Sequence, residues 1–174
     1  MELLAKAGYP NGEGLPPIEY YTSRGRNFPE QTELMKRQLK KINVELSEHL
    51  LDFSTLMDVV TKSKAPMFSF AWGSDYPDGE NNLALFYGPN KSPGSNHANY
   101  VRPEYDELYE SIRGMAPSPE RNKLYEKMRD MVIEDVPCIG SMARTRYYAV
   151  NPRLKNFVPT EVFYTWIKYL DVAE

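Results

Sequence analysis

The segment Trp72-Gly73-Ser74-Asp75-Tyr76 combines residue types that suit capture of a small molecule. Two aromatics flank a carboxylate, which together offer apolar walls and one anion for a cationic group. The competing assignment puts Trp72 in the core and lets Asp75 cap a turn before Pro77. The residues alone leave both open. Arg24 and Arg26 follow a strand-like run, where a guanidinium can grip a carboxylate bidentately; a solvated loop is the alternative for them.

Other chemistry is poorly provided for. Asp75, Asp78 and Glu80 crowd one loop, but they lack the full spacing of a calcium loop. They also lack a marked partner for a glycosidase pair. His49 and His97 are far apart and sit in no metal-spaced motif. The single cysteine, Cys138, follows Pro137 and is expected as a small buried hydrophobe at a strand start. There is no nucleophile elbow, no phosphate-cradling glycine loop and no dinucleotide fingerprint. No metal, cofactor or catalytic residue is expected. A hydrolase using Asp75, Asp78 and Glu80 is the enzymatic alternative.

The elements that must hold these residues follow from periodicity. Residues 2–7 predict a helix end stopped by Gly8 and Pro10, followed by a loop over 10–17. Strand formers run over 18–22, and a polar turn spans 23–27. Pro29 opens a helix with Leu34, Met35, Leu39 and Ile42 as its apolar stripe. Asn43 is suited to a left-handed cap, and a strand resumes at 44–46. Asp52 caps a second helix with Phe53, Leu56, Met57 and Val60 facing inward. Residues 67–72 form the most hydrophobic short run and predict a buried strand. This strand–helix alternation predicts an α/β fold with a largely parallel central sheet flanked by helices.

Beyond Gly73 the chain is loop-rich to Tyr100, with a short helix expected over 82–87. Tyr105, Leu108, Tyr109 and Ile112 mark a further helix. Ser118 and Pro119 open another, striped by Leu124, Met128, Met131 and Val132 and stopped by Pro137. The tail predicts extended segments at 147–150, 157–158 and 162–170.

The bulk properties agree with a ligand-holding domain. The 174 residues suffice for one ordinary domain. Net charge is −3, and no basic stripe with interleaved aromatics suggests nucleic acid. Thirteen tyrosines bring apolar faces with polar tips.

Several motifs, in order, resemble the family 5 extracellular solute-binding proteins, which serve peptide, oligopeptide and nickel importers. Leu3-Leu4-Ala5-Lys6-Ala7-Gly8-Tyr9-Pro10-Asn11-Gly12 is similar to that family's helix end. Gln38-Leu39-Lys40-Lys41-Ile42-Asn43-Val44 matches a second motif, with Asn43 where glycine is usual. Trp72-Gly73-Ser74-Asp75-Tyr76-Pro77-Asp78 matches a third, with Gly79 replacing a proline. Asn99-Tyr100 with Pro103-Glu104-Tyr105-Asp106-Glu107-Leu108, then Pro119-Glu120-Arg121 and Glu134-Asp135-Val136-Pro137, complete the series.

The resemblance implies the C-terminal ligand-binding lobe of a periplasmic-binding-protein fold over residues 1–146, truncated at its N-terminus. Residues 147–174 would be a tail that crosses back to the first lobe in relatives. It implies a periplasmic or cell-surface protein that captures peptides or similar small solutes by lobe closure. An ABC permease at the membrane surface would then receive them. Asp75 matches the residue that pairs with the ligand's amino terminus in peptide-binding relatives. Trp72 matches a pocket-wall aromatic, with Gly73, Ser74 and Tyr76 around them. Arg24 lies near the place where a dipeptide-binding relative holds the ligand's carboxylate. A sensory or interaction module on the same fold is the non-transport alternative.

Overall fold

A computed structural model describes residues 1–24, 29–143, 145–159 and 166–173. The chain divides into two compact units. One comprises residues 1–71 and 92–97; the other comprises residues 72–91 and 98–174.

The first unit is built on a parallel sheet of three strands in the order β2-β1-β3: β1 is Ile18–Ser23, β2 Leu46–Leu51 and β3 Met67–Phe68. Ile18 lies opposite Leu46 and Ser23 opposite Leu51, while Tyr20 and Tyr21 face Met67 and Phe68 on the other side. The crossovers are helices α2 (Pro29–Lys40) and α3 (Phe53–Thr61), preceded in the chain by the short α1 (Glu2–Lys6). Successive strand residues point to opposite faces. Lys36 of α2 reaches Glu48 at 3.0 Å, whereas Leu56 and Val60 of α3 pack with Tyr21, Leu51 and Phe68. The two helices therefore cover opposite faces of the sheet, as a doubly wound α/β layer requires.

Local chemistry explains the ends of these elements. The Asp52 carboxylate accepts the Thr55 N–H at 2.9 Å and so caps α3. Its bonds from Ser54 and Thr55 hold its carboxyl well below the usual range. Asn43 adopts the left-handed conformation (φ 57°) and donates its amide to the Asn11 carbonyl at 2.9 Å. That bond docks the 10–12 turn against the end of α2. Gly12 makes the approach possible: a Cβ there would lie 2.4 Å from the Ile42 carbonyl oxygen.

Several expectations change. The hydrophobic run over 67–72 is a strand only at Met67–Phe68, and none of its residues is buried. Ser69 N–H still bonds the Tyr21 carbonyl at 3.0 Å before the chain leaves the sheet. β2 extends to Leu51, through the polar residues 47–49, because it is an outer strand whose side chains need not all be apolar. His49 stacks on Tyr21, with ring centroids 4.4 Å apart, and bonds Glu19. Leu34 and Phe53 are exposed and not part of the inward stripes, which narrow to Met35 and Leu39 in α2, with Ile42 in the turn after it, and to Leu56, Met57 and Val60 in α3.

The second unit holds α4 (Glu80–Leu83), α5 (Pro103–Arg113) and α6 (Pro119–Asp135). Tyr87, Tyr105, Tyr109, Ile112, Met128 and Met131 form its core. The last five recur at helical spacing along α5 and α6, which places each set on one face. Ser118 accepts the Arg121 N–H at 3.1 Å and caps α6. Residues Leu154–Lys155 (β4) and Asp171–Val172 (β5) pair antiparallel. Residues 147–150 and 157–158 form no strand, and Trp166–Tyr169 is a 3-10 turn instead of an extended segment; positions 162–165 lie outside the described residues. Cys138 is exposed and outside any strand, contrary to its expected burial. Among the described residues, no helix is long and apolar enough to cross a membrane.

Candidate functional site

The segment 72–76 lies at the start of the second unit, immediately ahead of α4. Its organiser is Asn81, which is only 7% exposed. The Asn81 Oδ1 atom accepts the Trp72 Nε1–H at 3.1 Å and the Asp75 backbone N–H at 3.1 Å. An amide oxygen has two lone pairs, so one atom serves both donors. Ser74 Oγ bonds Asn82 Oδ1 at 3.2 Å, which ties the same segment to the next residue of α4.

The side chains left outward are those a ligand would meet. Trp72 is 39% exposed and Tyr76 41% exposed. Trp72 is therefore not a core residue, and the alternative that buried it fails. The Asp75 side chain is exposed and makes no hydrogen bond or ion pair with any described residue. The turn is capped by Asp78 instead, whose Oδ1 accepts the Glu80 N–H at 2.9 Å. A Cβ on Gly73 would meet nothing within 4 Å, so the backbone there stands open.

The neighbouring carboxylates are committed elsewhere. Asp78 accepts the Tyr125 hydroxyl and the Arg121 Nη1, both at 2.6 Å. The Tyr125 bond, the Glu80 N–H and the Arg121 guanidinium hold the Asp78 carboxyl at about 2. Arg121 in turn donates Nε to the Ile112 carbonyl at 3.3 Å within the core. Glu80 receives both the Tyr76 and the Tyr109 hydroxyls. The Glu80 bond and burial push the Tyr76 phenol up, with Asn81 pulling the other way. Burial and then Glu80 push Tyr109 up. Both tyrosines thus stay protonated donors. Asp78 and Glu80 fasten the loop to α5 and α6, leaving Asp75 as the unpartnered carboxylate of the three. Among the described residues, no group of three or more His, Cys, Asp or Glu side chains could hold a metal ion.

Arg24 belongs to the first unit. It sits at the carboxyl end of β1, where its N–H bonds the Leu51 carbonyl at 2.9 Å and its side chain is exposed. Arg26 lies outside the described residues. A shallow cavity of about 240 Å3 in the second unit is lined by Gly79, Asn82, Leu83, Tyr125, Glu126 and Arg129; none of the expected site residues lines it.

Sequence reasoning missed Asn81 and the partner of Arg121. The second had a readable signal. Arg121, Tyr125 and Met128 share one face of α6 by their i, i+4, i+7 spacing. An arginine on an inward face requires an acceptor. Asn81 had no such signal, since its role depends on how the chain folds back.

Comparison with known proteins bears on the family and the fold. Residues 1–94 match the model described as bacterial extracellular solute-binding proteins, family 5 Middle. Heme-binding protein A of Haemophilus influenzae is 26% identical over 167 residues, covering 94% of this chain and 30% of that protein. A solved periplasmic oligopeptide-binding protein from Borrelia burgdorferi superposes with a TM-score of 0.71 at 28% identity, covering 78% of this chain and 27% of that one. Haemophilus influenzae OppA, solved with the peptide RPPGFSPFR, shares the fold (TM-score 0.81, 18% identity), with 99% of this chain and 34% of that chain covered. The chain thus spans about a third or less of the relatives' own length. Since the family model matches more than half of its residues, the chain belongs to the family 5 bacterial extracellular solute-binding proteins.

Proposed function

We propose that this chain supplies part of the ligand site of an ABC importer's solute-binding component, one that captures peptides or similar small solutes bearing a protonated amine. The observation that carries the proposal is Asp75: an exposed, unpartnered carboxylate between two half-exposed aromatics, on a backbone pinned by Asn81. The Asp75 carboxylate receives the ligand's ammonium group. Trp72 and Tyr76 form walls, and Gly73 and Ser74 leave the backbone accessible. Residues 147–174 are a tail that crosses back to the first lobe of the full protein. The ligand is bound and released unchanged to a permease, in the periplasm or at the cell surface.

Peptide-binding relatives support the ligand class: one solved relative from Helicobacter pylori is in complex with the peptide STSA, and one from Pseudoalteromonas with Met-Leu. The test is calorimetric titration of the protein carrying this chain with a tripeptide and its N-acetylated counterpart. Asp75→Asn should weaken the free-amine peptide by about 1.5–3 kcal/mol, the worth of a hydrogen bond to a charged group. The acetylated peptide should bind both proteins equally. Unchanged affinity of the free-amine peptide would remove Asp75 from the site.

A further inference from the structure

We propose that Asn81 is a positioning residue for the ligand site, acting through Asp75 and Trp72 without touching the ligand; this rests on the reading of Asp75 as the anchor. One buried oxygen accepts the indole N–H of the wall and the backbone N–H of the anchor, both at 3.1 Å. A single atom therefore ties the indole of the wall to the backbone that carries the anchor.

Asn81 is itself held from below. It lies in α4, whose Leu83 carbonyl accepts the Tyr105 hydroxyl at 2.8 Å and whose Glu80 accepts the Tyr109 hydroxyl. Tyr105 and Tyr109 are buried on α5. Rigidity thus passes from the helical core through α4 to a solvent-facing loop. A loop so fixed has less freedom to lose when ligand binds, which raises affinity without any new ligand contact. The arrangement also fixes specificity. Glu80 is closed off by two phenols and Asp78 by Arg121 and Tyr125, so Asp75 is the one of these three carboxylates left unpartnered. Asn81 holds the backbone that carries this charge and the indole together, which favours a single ammonium carried beside an apolar group.

The experiment is a double-mutant cycle in the protein carrying this chain, using tri-alanine as probe. Asn81→Leu removes the acceptor at similar volume. Loss of two hydrogen bonds to it should weaken tri-alanine about tenfold or more. If Asn81 acts in part through Asp75, adding Asn81→Leu to Asp75→Asn should cost clearly less than Asn81→Leu costs alone, the remainder passing through Trp72. Full additivity would overturn the proposal. A second readout does not depend on the anchor. In protein labelled with 5-fluorotryptophan, the Trp72 resonance, assigned by its absence in Trp72→Phe, should move in Asn81→Leu and return in Asn81→Asp, which keeps the acceptor. An unmoved resonance in Asn81→Leu overturns the proposal even where Asp75→Asn proves silent and the anchor reading has failed. Should Asn81→Leu not fold, Asn81→Asp decides: it should bind tri-alanine at least as tightly as the wild type, and a tenfold loss would refute the positioning role.

Discussion

Asp78→Ala should destabilise the protein far more than its position in a loop suggests. Asp78 is 29% exposed, but its partner Arg121 is only 8% exposed and sits on the inward face of α6. Removing the carboxylate strands a guanidinium that cannot be neutralised. Breaking a buried pair from one side costs about 3–5 kcal/mol. Partial access of Asp78 to water trims this to about 2–4 kcal/mol. The Tyr125 hydroxyl loses its acceptor as well. The pH dependence gives an independent figure. The folded carboxyl titrates at about 2, below its ordinary 3.8, and a gap of that size corresponds to about 1–2 kcal/mol after screening. Because the folded value is depressed, this stabilisation is present above the ordinary value and fades as pH falls from about 4 towards 2. Urea unfolding at pH 7 and at pH 3 checks both numbers. Asp78→Ala should lose about 2–4 kcal/mol at pH 7 and less at pH 3. Arg121→Met with Asp78→Ala should cost less than the sum of the two single changes, since no charge is then left buried. A loss under about 1 kcal/mol for Asp78→Ala, or strict additivity, would refute the reasoning.

Two further perturbations test local geometry. Gly12 and Gly14 share φ +77°, but a Cβ at Gly12 would meet the Ile42 carbonyl oxygen at 2.4 Å while one at Gly14 would meet nothing within 4 Å. Gly14→Ala should therefore cost about 1 kcal/mol from backbone strain alone, and Gly12→Ala about 1–3 kcal/mol more, by urea unfolding; equal losses would contradict the docked turn. Ser118→Ala removes the cap of α6 and should cost about 1 kcal/mol, seen as a fall in Tm of about 2–4 °C by differential scanning calorimetry.

The parts of the fold that were legible in the sequence are those fixed by neighbours along the chain. The order β1, α2, β2, α3, β3 follows from apolar periodicity, and the Asp52 and Ser118 caps from residue type at a helix start. The errors arose where tertiary position overrides local character. The polar residues 47–49 hid most of β2, because an outer strand tolerates them. The apolar residues 69–72 suggested strand, yet the chain turns away from the sheet after one more hydrogen bond at Ser69. At the site, Trp72, Asp75 and Tyr76 were visible by type. That Asp78 and Glu80 are closed off while Asp75 is free depends on Arg121, Tyr109 and Tyr125, which are 29 to 47 positions away. No window along the sequence contains that choice.

The strand order has one more consequence. A three-stranded sheet has two outer strands, and an unpaired strand invites another chain to extend the ladder. Here β3 pairs over only two residues, too short a template to recruit a partner. The other border, β2, carries Glu48 and His49, already engaged with Lys36 and with Glu19 and Tyr21. An incoming strand would have to lie alongside those charged and ring-stacked groups. Among the described residues, the groups that disguised β2 in the sequence thus line the sheet's outer border.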